Sequence, residues 1–259
     1  MTIPSLPDIM VAPNGARRTK AHHPALPLTI AETVADAAAC HAAGAGGLHA
    51  HVRGPDGEHV LDAGLYRELI AEMAVKVPGM AVQVTTEAVG RYTPAEQRKL
   101  VLDLSPAMVS ISVREIIADG DAKAARHLFE ECAARGVAVQ HILYDAVQLV
   151  ELEPLVGGGS SVQLLFVLGR YADGQLARPQ DLDPFLSQLS TGTLAADWAA
   201  CAFGRRETTC LLSAAARGGK VRVGFENNLH QHDGSLAASN ADRVREIVSL
   251  LEMGARQAD

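Results

Sequence analysis

Short runs rich in Val, Ile and Leu alternate with longer Ala-rich amphipathic stretches from one end of this 259-residue chain to the other. Nothing else in the sequence narrows the fold so far. The short runs fall at 9–12, 47–52, 81–86, 108–113, 137–143, 162–168, 193–201 and 221–225, and their length and β-branched content read as buried strands. The stretches between them read as helices near 30–43, 63–76, 94–103, 121–135, 145–154, 179–190, 205–217 and 240–254. Strands that alternate with helices call for parallel pairing. Eight such units in a chain of this length match the single (β/α)8 TIM barrel of the α/β class. A doubly wound open sheet also alternates, but usually with fewer strands. No linker, repeat or low-complexity segment divides the chain, so residues 1–259 are expected to form one barrel domain.

The helix ends are well marked. Thr29-Ile30-Ala31-Glu32 is a capping box, in which a threonine hydroxyl and a glutamate carboxylate each satisfy a backbone N–H that the helix leaves orphaned. Thr93-Pro94-Ala95-Glu96 adds proline at the first helical position, where its missing N–H costs nothing. Ser239-Asn240-Ala241-Asp242 puts an acid at the positive end of the last helix. Gly44 and Gly136 are placed to end helices in a left-handed conformation.

Composition removes several function classes. A net charge of −7 leaves no basic stripe to displace counterions from nucleic acid, so none is expected as a partner. No apolar run approaches the ~20 residues of a membrane helix, and Met1-Thr2-Ile3-Pro4 lacks the layout of a signal peptide. Cys40, Cys132, Cys201 and Cys210 are scattered without a Cys-x-x-Cys pair and read as reduced, buried thiols of a cytoplasmic protein.

Chemistry concentrates where strands end. These ends carry Asn14, His49 and His51, Thr85-Thr86-Glu87, Ser110 and Ser112, Gln140 and His141, and Glu226-Asn227. Active sites of α/β barrels form at this end. Residues i and i+2 of a strand share a face, so the imidazoles of His49 and His51 can reach one point. With Glu226 they make two nitrogens and one carboxylate, a set that leaves a coordination position open, as catalytic zinc sites do. The second His-x-His, His230 and His232, lies in a loop with no framing strand and is discounted.

With these residues in view, the chain resembles the β-keto acid cleavage enzymes, the family typified by 3-keto-5-aminohexanoate cleavage enzyme. The likeness runs through Asn14-Gly15-Ala16, Pro24-Ala25-Leu26-Pro27-Leu28-Thr29, Ala43-Gly44-Ala45, His49-Ala50-His51-Val52-Arg53, Asp56-Gly57 and Thr85-Thr86. It continues in Gly169, Gly204-Arg205, the segment from Gly218 to Asn228 and Ser239-Asn240-Ala241. The resemblance implies a zinc-dependent barrel, commonly a homotetramer, that exchanges acyl groups between a β-keto acid and acetyl-CoA to give acetoacetate and a new acyl-CoA. It implies His49, His51 and Glu226 as ligands of one divalent ion, with Arg222 beside it pairing a substrate carboxylate. Arg222 as an ordinary salt-bridge partner stays open, and Arg53 reads as a residue that orients the strand-end loop. Thr85 stands where the family has serine and keeps a hydroxyl donor. The polar position after the fourth strand is Ser110 or Ser112, with Ser112 taken as the substrate contact. Asn14 matches a position that faces the distal part of the substrate, and it can equally cap its own turn.

The chain also departs from the family pattern. Glu226-Asn227-Asn228 replaces Glu-Asp-Asn, so an amide stands where the general base is expected, and an amide accepts no proton at useful pH. The acidic stretch of the fifth strand reads Val139-Gln140-His141-Ile142-Leu143-Tyr144-Asp145 and has lost both glutamates. A Gly-rich turn after the third strand has become Glu87-Ala88-Val89-Gly90. Glu87, or else His141, is therefore expected to supply a relocated base; Glu87 can also be a solvated loop acid or the partner of Arg91. The basic run from Arg17 to His23 near the mouth is either a CoA phosphate contact or a solvated loop. Three functions remain in competition: the CoA-dependent acyltransferase, a metal-dependent aldolase or retro-Claisen hydrolase that uses water, and a catalytically lapsed metal- and ligand-binding protein.

Overall fold

The computed structural model describes residues 4–169 and 176–258, with the backbone alone for 255–258. Met1 to Ile3 of the N-terminal run lie outside the described residues. Eight parallel strands close into a barrel in chain order: β1 (Ile9–Val11), β2 (Gly47–Ala50), β3 (Ala81–Thr85), β4 (Met108–Ser112), β5 (Ala138–Leu143), β6 (Ser161–Leu168), β7 (Ala195–Ala202) and β8 (Lys220–Val223). Closure is made by β1, which pairs with β2 on one side and with β8 on the other, Met10 standing opposite Arg222. Around the sheet run α1 (Ile30–Ala42), α2 (Ala63–Lys76), α3 (Pro94–Leu104), α4 (Val113–Ile116), α5 (Ala122–Arg135), α6 (Val147–Val156), α7 (Asp183–Thr191), α8 (Glu207–Ala215) and α9 (Asn240–Ala258). The single (β/α)8 TIM barrel expected from the alternation is the fold observed.

The period of two along each strand divides the core. Val11, Leu48, Val84, Val109, Val139, Leu164, Ala200 and Val221 face outward and pack against the helices. Met10, Met108, Ala138, Ile142, Leu165, Val167, Ala199 and Cys201 fill the barrel lumen instead. Gln83, Gln140 and Arg222 share the lumen face with these residues by that same alternation.

Both capping boxes form, at Thr29 with Glu32 and at Thr93 with Glu96. Gly136 ends α5 at φ 72. Five strands, β1, β2, β3, β4 and β8, stop earlier than their apolar runs, and at two of them the cause is plain. At β4 the Ser112 hydroxyl accepts from the N–H of Glu115 and opens the short α4, which periodicity alone did not reveal. At β8, Gly224 turns the chain out of the sheet at φ 147, against the backbone of Ala12, where no side chain would fit. A 3-10 turn, Pro179–Leu182, also precedes α7.

Candidate metal centre at the carboxyl end of the barrel

His49 is the third residue of β2, opposite Gln83 of β3, and its ring is buried in the lumen. His51 follows one residue beyond the strand and keeps the same side. Its Nε2 lies 3.0 Å from His49 Nε2. Glu226 Oε2 completes a triangle, 3.6 Å from His49 Nε2 and 3.8 Å from His51 Nε2. Getting Glu226 there takes four separate contacts. Its N–H donates to Ala12 O at 3.0 Å. The N–H of Phe225 donates to Asn240 Oδ1 at 2.8 Å, and that of Gly224 to Glu207 Oε1 at 3.3 Å. Gly15, at φ 58, lies flat against the Glu226 side chain.

The lumen beneath orients His49. Its Nδ1 lies 2.9 Å from Gln83 Oε1, an oxygen that also accepts from Arg222 Nη2 at 2.7 Å. An amide oxygen only accepts, so His49 Nδ1 carries the proton and Nε2 carries the lone pair. Gln83 Nε2 donates to Gln140 Oε1, which takes a second bond from Arg222 Nη2, and Gln140 Nε2 donates to Leu164 O. Burial, followed by the nearby Arg222, holds His49 well below the usual imidazole range. Burial holds His51 down likewise, with His59 and His49 adding to it. Both rings are therefore neutral, the form that binds metals. Burial raises the Glu226 carboxyl, and its Oε2 is buried without a hydrogen-bond partner.

These residues fit a divalent ion. Ligand atoms each ~2.0–2.1 Å from a tetrahedral zinc stand roughly 3.3 Å apart, and the three separations here fall on either side of that value. The Glu226 oxygen, buried without a hydrogen-bond partner, offers the free acceptor that a cation would satisfy. Among the described residues, His49, His51 and Glu226 are the one such group of three acidic, Cys or His side chains.

The remaining expected site residues fall as follows. Thr85 ends β3 facing the lumen, and its Oγ1 accepts from the N–H of Glu87 at 3.1 Å. Glu87 turns back over the site, with Oε2 3.8 Å from His51 Nδ1. Burial, followed by Glu226 and Glu115 nearby, pushes the Glu87 carboxyl up to about 8. Glu87 is thus not the solvated acid or Arg91 partner that its loop position allowed; Arg91 pairs with Glu58. Ser110 and Ser112 both face inward, two residues apart, and the Ser112 hydroxyl is engaged as the cap of α4. Asn14 is fully buried, and its Nδ2 donates to Pro27 O and His51 O, tying two loops together. Asn227 is buried beside Glu226, and its carbonyl accepts from Gly204 N and Arg18 Nη2. Arg53 donates to the carbonyls of Gly15, Ala16, Gly57 and Arg18, which is the loop-orienting role.

One expectation is corrected. His141 cannot replace the base, because it sits on the outer face of β5, edge-on to Phe129 of α5 at 4.7 Å, while its neighbours Gln140 and Ile142 face the lumen. The period of two makes that assignment unavoidable. Burial lowers its pKa to about 3.

Three contributors escaped the sequence reading. Gln83 could have been found as the lumen-facing neighbour of Thr85 at i−2. His59 packs against His51 with its ring tilted, at 4.9 Å between centroids, and donates from Nε2 to Glu87 O at 3.0 Å, and no local pattern signals it. Glu207 is held by Arg243 at 2.8 Å with both side chains fully buried, a pairing 36 residues apart.

A family model described as beta-keto acid cleavage enzyme matches residues 8–258. The chain is 28% identical to a 3-keto-5-aminohexanoate cleavage enzyme of Fusobacterium nucleatum subsp. nucleatum, over 91% of this chain and 88% of that protein. It is 27% identical to a 3-oxoadipate:acetyl-CoA acetyltransferase of Cupriavidus necator, over 97% of this chain and 90% of that one. Among solved structures, the fold is similar to that of ObcA in its binary complex with oxaloacetate, with a TM-score of 0.69 at 13% identity. That alignment covers 90% of this chain but spans only 64% of the longer protein, and it bears on the fold alone.

Proposed function

The chain belongs to the beta-keto acid cleavage enzyme family, and from that premise we propose that it carries out a metal-dependent, retro-Claisen type acyl exchange. A β-keto acid and acetyl-CoA would enter, and acetoacetate and a new acyl-CoA would leave. The names of two relatives, which pair a keto acid with acetyl-CoA, support this substrate class. The observation that carries the proposal is the triangle of His49, His51 and Glu226 at the mouth of the barrel. We assign it one zinc ion, which when bound supplies Lewis-acid polarisation of the keto oxygen.

The chain's own residues have the following roles in this reading. Arg222, oriented by Gln83 and Gln140, takes the substrate carboxylate in fork geometry. Thr85 donates its hydroxyl to a substrate oxygen. Ser112 contacts the substrate, and Asn14, whose Oδ1 has no hydrogen-bond partner, meets its distal part. Glu87 accepts the proton from the carbon between the two carbonyl groups and later returns it, because Asn227 occupies the place of the usual acid and cannot do so. The lumen around Ile142, Val167 and Phe203 keeps water away from that transfer.

The assembly is proposed to be a homotetramer that covers apolar helix faces such as Val147 and Val150 of α6, which are 58% and 51% exposed. Sedimentation of the purified protein checks this. Four buried free thiols suit a reducing, cytoplasmic setting.

Asn227 favours a second reading, in which the metal is kept and water replaces CoA. Metal analysis together with a screen of β-keto acids, with and without acetyl-CoA, separates the two. Turnover that consumes acetyl-CoA stoichiometrically supports the exchange, turnover without it supports the hydrolase, and tight binding without turnover marks a lapsed enzyme. Replacing Glu87→Gln is expected to lower kcat by ~10²–10⁴-fold. Wild-type turnover in that variant would exclude Glu87 as the base.

A further inference from the structure

The two imidazoles of the metal centre are supported unequally. A ring that gives one nitrogen to an ion presents an N–H at the other, and that N–H needs an acceptor. For His49 the acceptor is Gln83 Oε1 at 2.9 Å. His51 Nδ1 is buried and has no hydrogen-bond partner. The group that faces it is Glu87, with Oε2 at 3.8 Å.

We infer that Glu87 is the outer partner of His51: its carboxylate takes the Nδ1–H and holds the ring with Nε2 aimed at the ion. This rests on His49, His51 and Glu226 holding a metal, and it does not depend on whether Glu87 also moves a substrate proton.

The surroundings of Glu87 leave this adjustment open and little else. Its N–H is bound to Thr85 Oγ1 at 3.1 Å, and its carbonyl takes the N–H of His59 at 3.0 Å. The backbone is thus pinned from both sides, and only the side-chain torsions remain to move. A shift of about 1 Å brings the carboxylate into hydrogen-bond range. The same His59 packs its ring, tilted by 58°, against the His51 ring, so one residue touches both partners. Immediately after Glu87 the chain reverses in a tight turn, with Val89 at φ 46 and Gly90 at φ 74, closed by Arg91 N to Ala88 O at 2.8 Å. Positive φ at both central positions is the type I′ geometry, which a β-branched valine seldom adopts. The loop is therefore held in an uncommon conformation at the point where it delivers Glu87.

The partnership changes the ion's electrostatics. Gln83 offers His49 a neutral amide oxygen, whereas Glu87 offers His51 a carboxyl group, which when ionised makes that imidazole the stronger donor. Glu87 thus tightens the hold on the cation and lowers the net positive charge that a keto acid meets.

The test uses the full-length protein freed of metal by a chelator. Zn²⁺ and Co²⁺ are titrated back against a competing chelator, and the visible bands of the cobalt form report the ligand field. Glu87→Ala is expected to weaken affinity by about 10–100-fold and to shift the cobalt bands. Glu87→Gln, which keeps an amide oxygen in place, loses less than Glu87→Ala. Glu87→Asp is too short to reach and loses as much as Glu87→Ala, and it serves if Glu87→Ala does not fold. Wild-type affinity and unchanged bands in the Ala and Asp variants would overturn the inference. If the wild-type protein itself bound neither ion, the metal reading and this inference would fail together, whereas tight binding by every variant removes only this inference.

Discussion

Gly15 lies so close to Glu226 that a Cβ placed on it would stand 2.6 Å from Glu226 Cγ. The glycine is also left-handed, at φ 58, so it serves both the turn after β1 and the room that the carboxylate needs. A residue at one end of the chain thereby sets where a carboxylate of the candidate metal centre, from the other end, can sit.

Substituting Gly15→Ala is therefore expected to cost ~1–3 kcal/mol through backbone strain, and to displace Glu226 as well. Thermal unfolding checks the first effect and metal content the second. A variant that keeps its full metal complement would show that Glu226 has somewhere else to go.

Gln83 selects which nitrogen of His49 is free, so Gln83→Ala should lower metal affinity by about 10–100-fold while leaving the fold intact. The same change removes an acceptor from Arg222, so KM for a keto acid should rise too. Chelator competition and steady-state kinetics measure the two effects separately.

Burial of the Asp36 carboxyl pushes its pKa up to about 7, against the bond it takes from Asn240 Nδ2 at 2.9 Å. In the unfolded chain the group has its ordinary value of 3.8. Between those values the folded state holds a proton that the unfolded state has released. The contribution of this group is thus fully present below pH ~4 and is lost as the pH rises through about 7. Asp36→Asn should gain on the wild type as pH is raised from 5 to 8, read from urea midpoints at each pH. A constant difference across that range would contradict the shift.

The buried pair of Arg243 with Glu207 is expected to be costly to break from one side. Arg243 also bonds Thr208 Oγ1 and Gln231 Oε1 from a fully buried position, so Arg243→Met strands Glu207 without its cation. A loss of about 3–5 kcal/mol in stability is expected. Glu207 carries the N–H of Gly224, so metal affinity should fall with it. A double replacement, Arg243→Met with Glu207→Leu, should recover much of the stability but not the metal affinity.

Much of this was legible in one dimension. The eight strands and their helices followed from hydrophobic runs whose length and period are local properties of the chain, and the caps at Thr29 and Thr93 are contacts across three residues. His49 and His51 declared themselves because a spacing of two on a strand is itself a geometric statement. Placing Glu226 with them took either a family resemblance or the closure of the barrel, which sets β8 beside β1.

What the tertiary structure alone decided is which way side chains point and what they meet. His141 and Gln140 are neighbours in the chain, yet one faces a helix and the other the lumen. That choice depends on strand register, which is set by pairing with β4 and β6. Gln83, His59, Glu207 and Asn240 support the site from other segments of the chain, through contacts that depend on where loops close. Glu87 was a loop acid of two possible characters in the sequence. It became a half-buried carboxyl group facing His51 because Thr85 and His59 pin its backbone over the candidate metal centre, and contacts of that kind exist only once the barrel has closed.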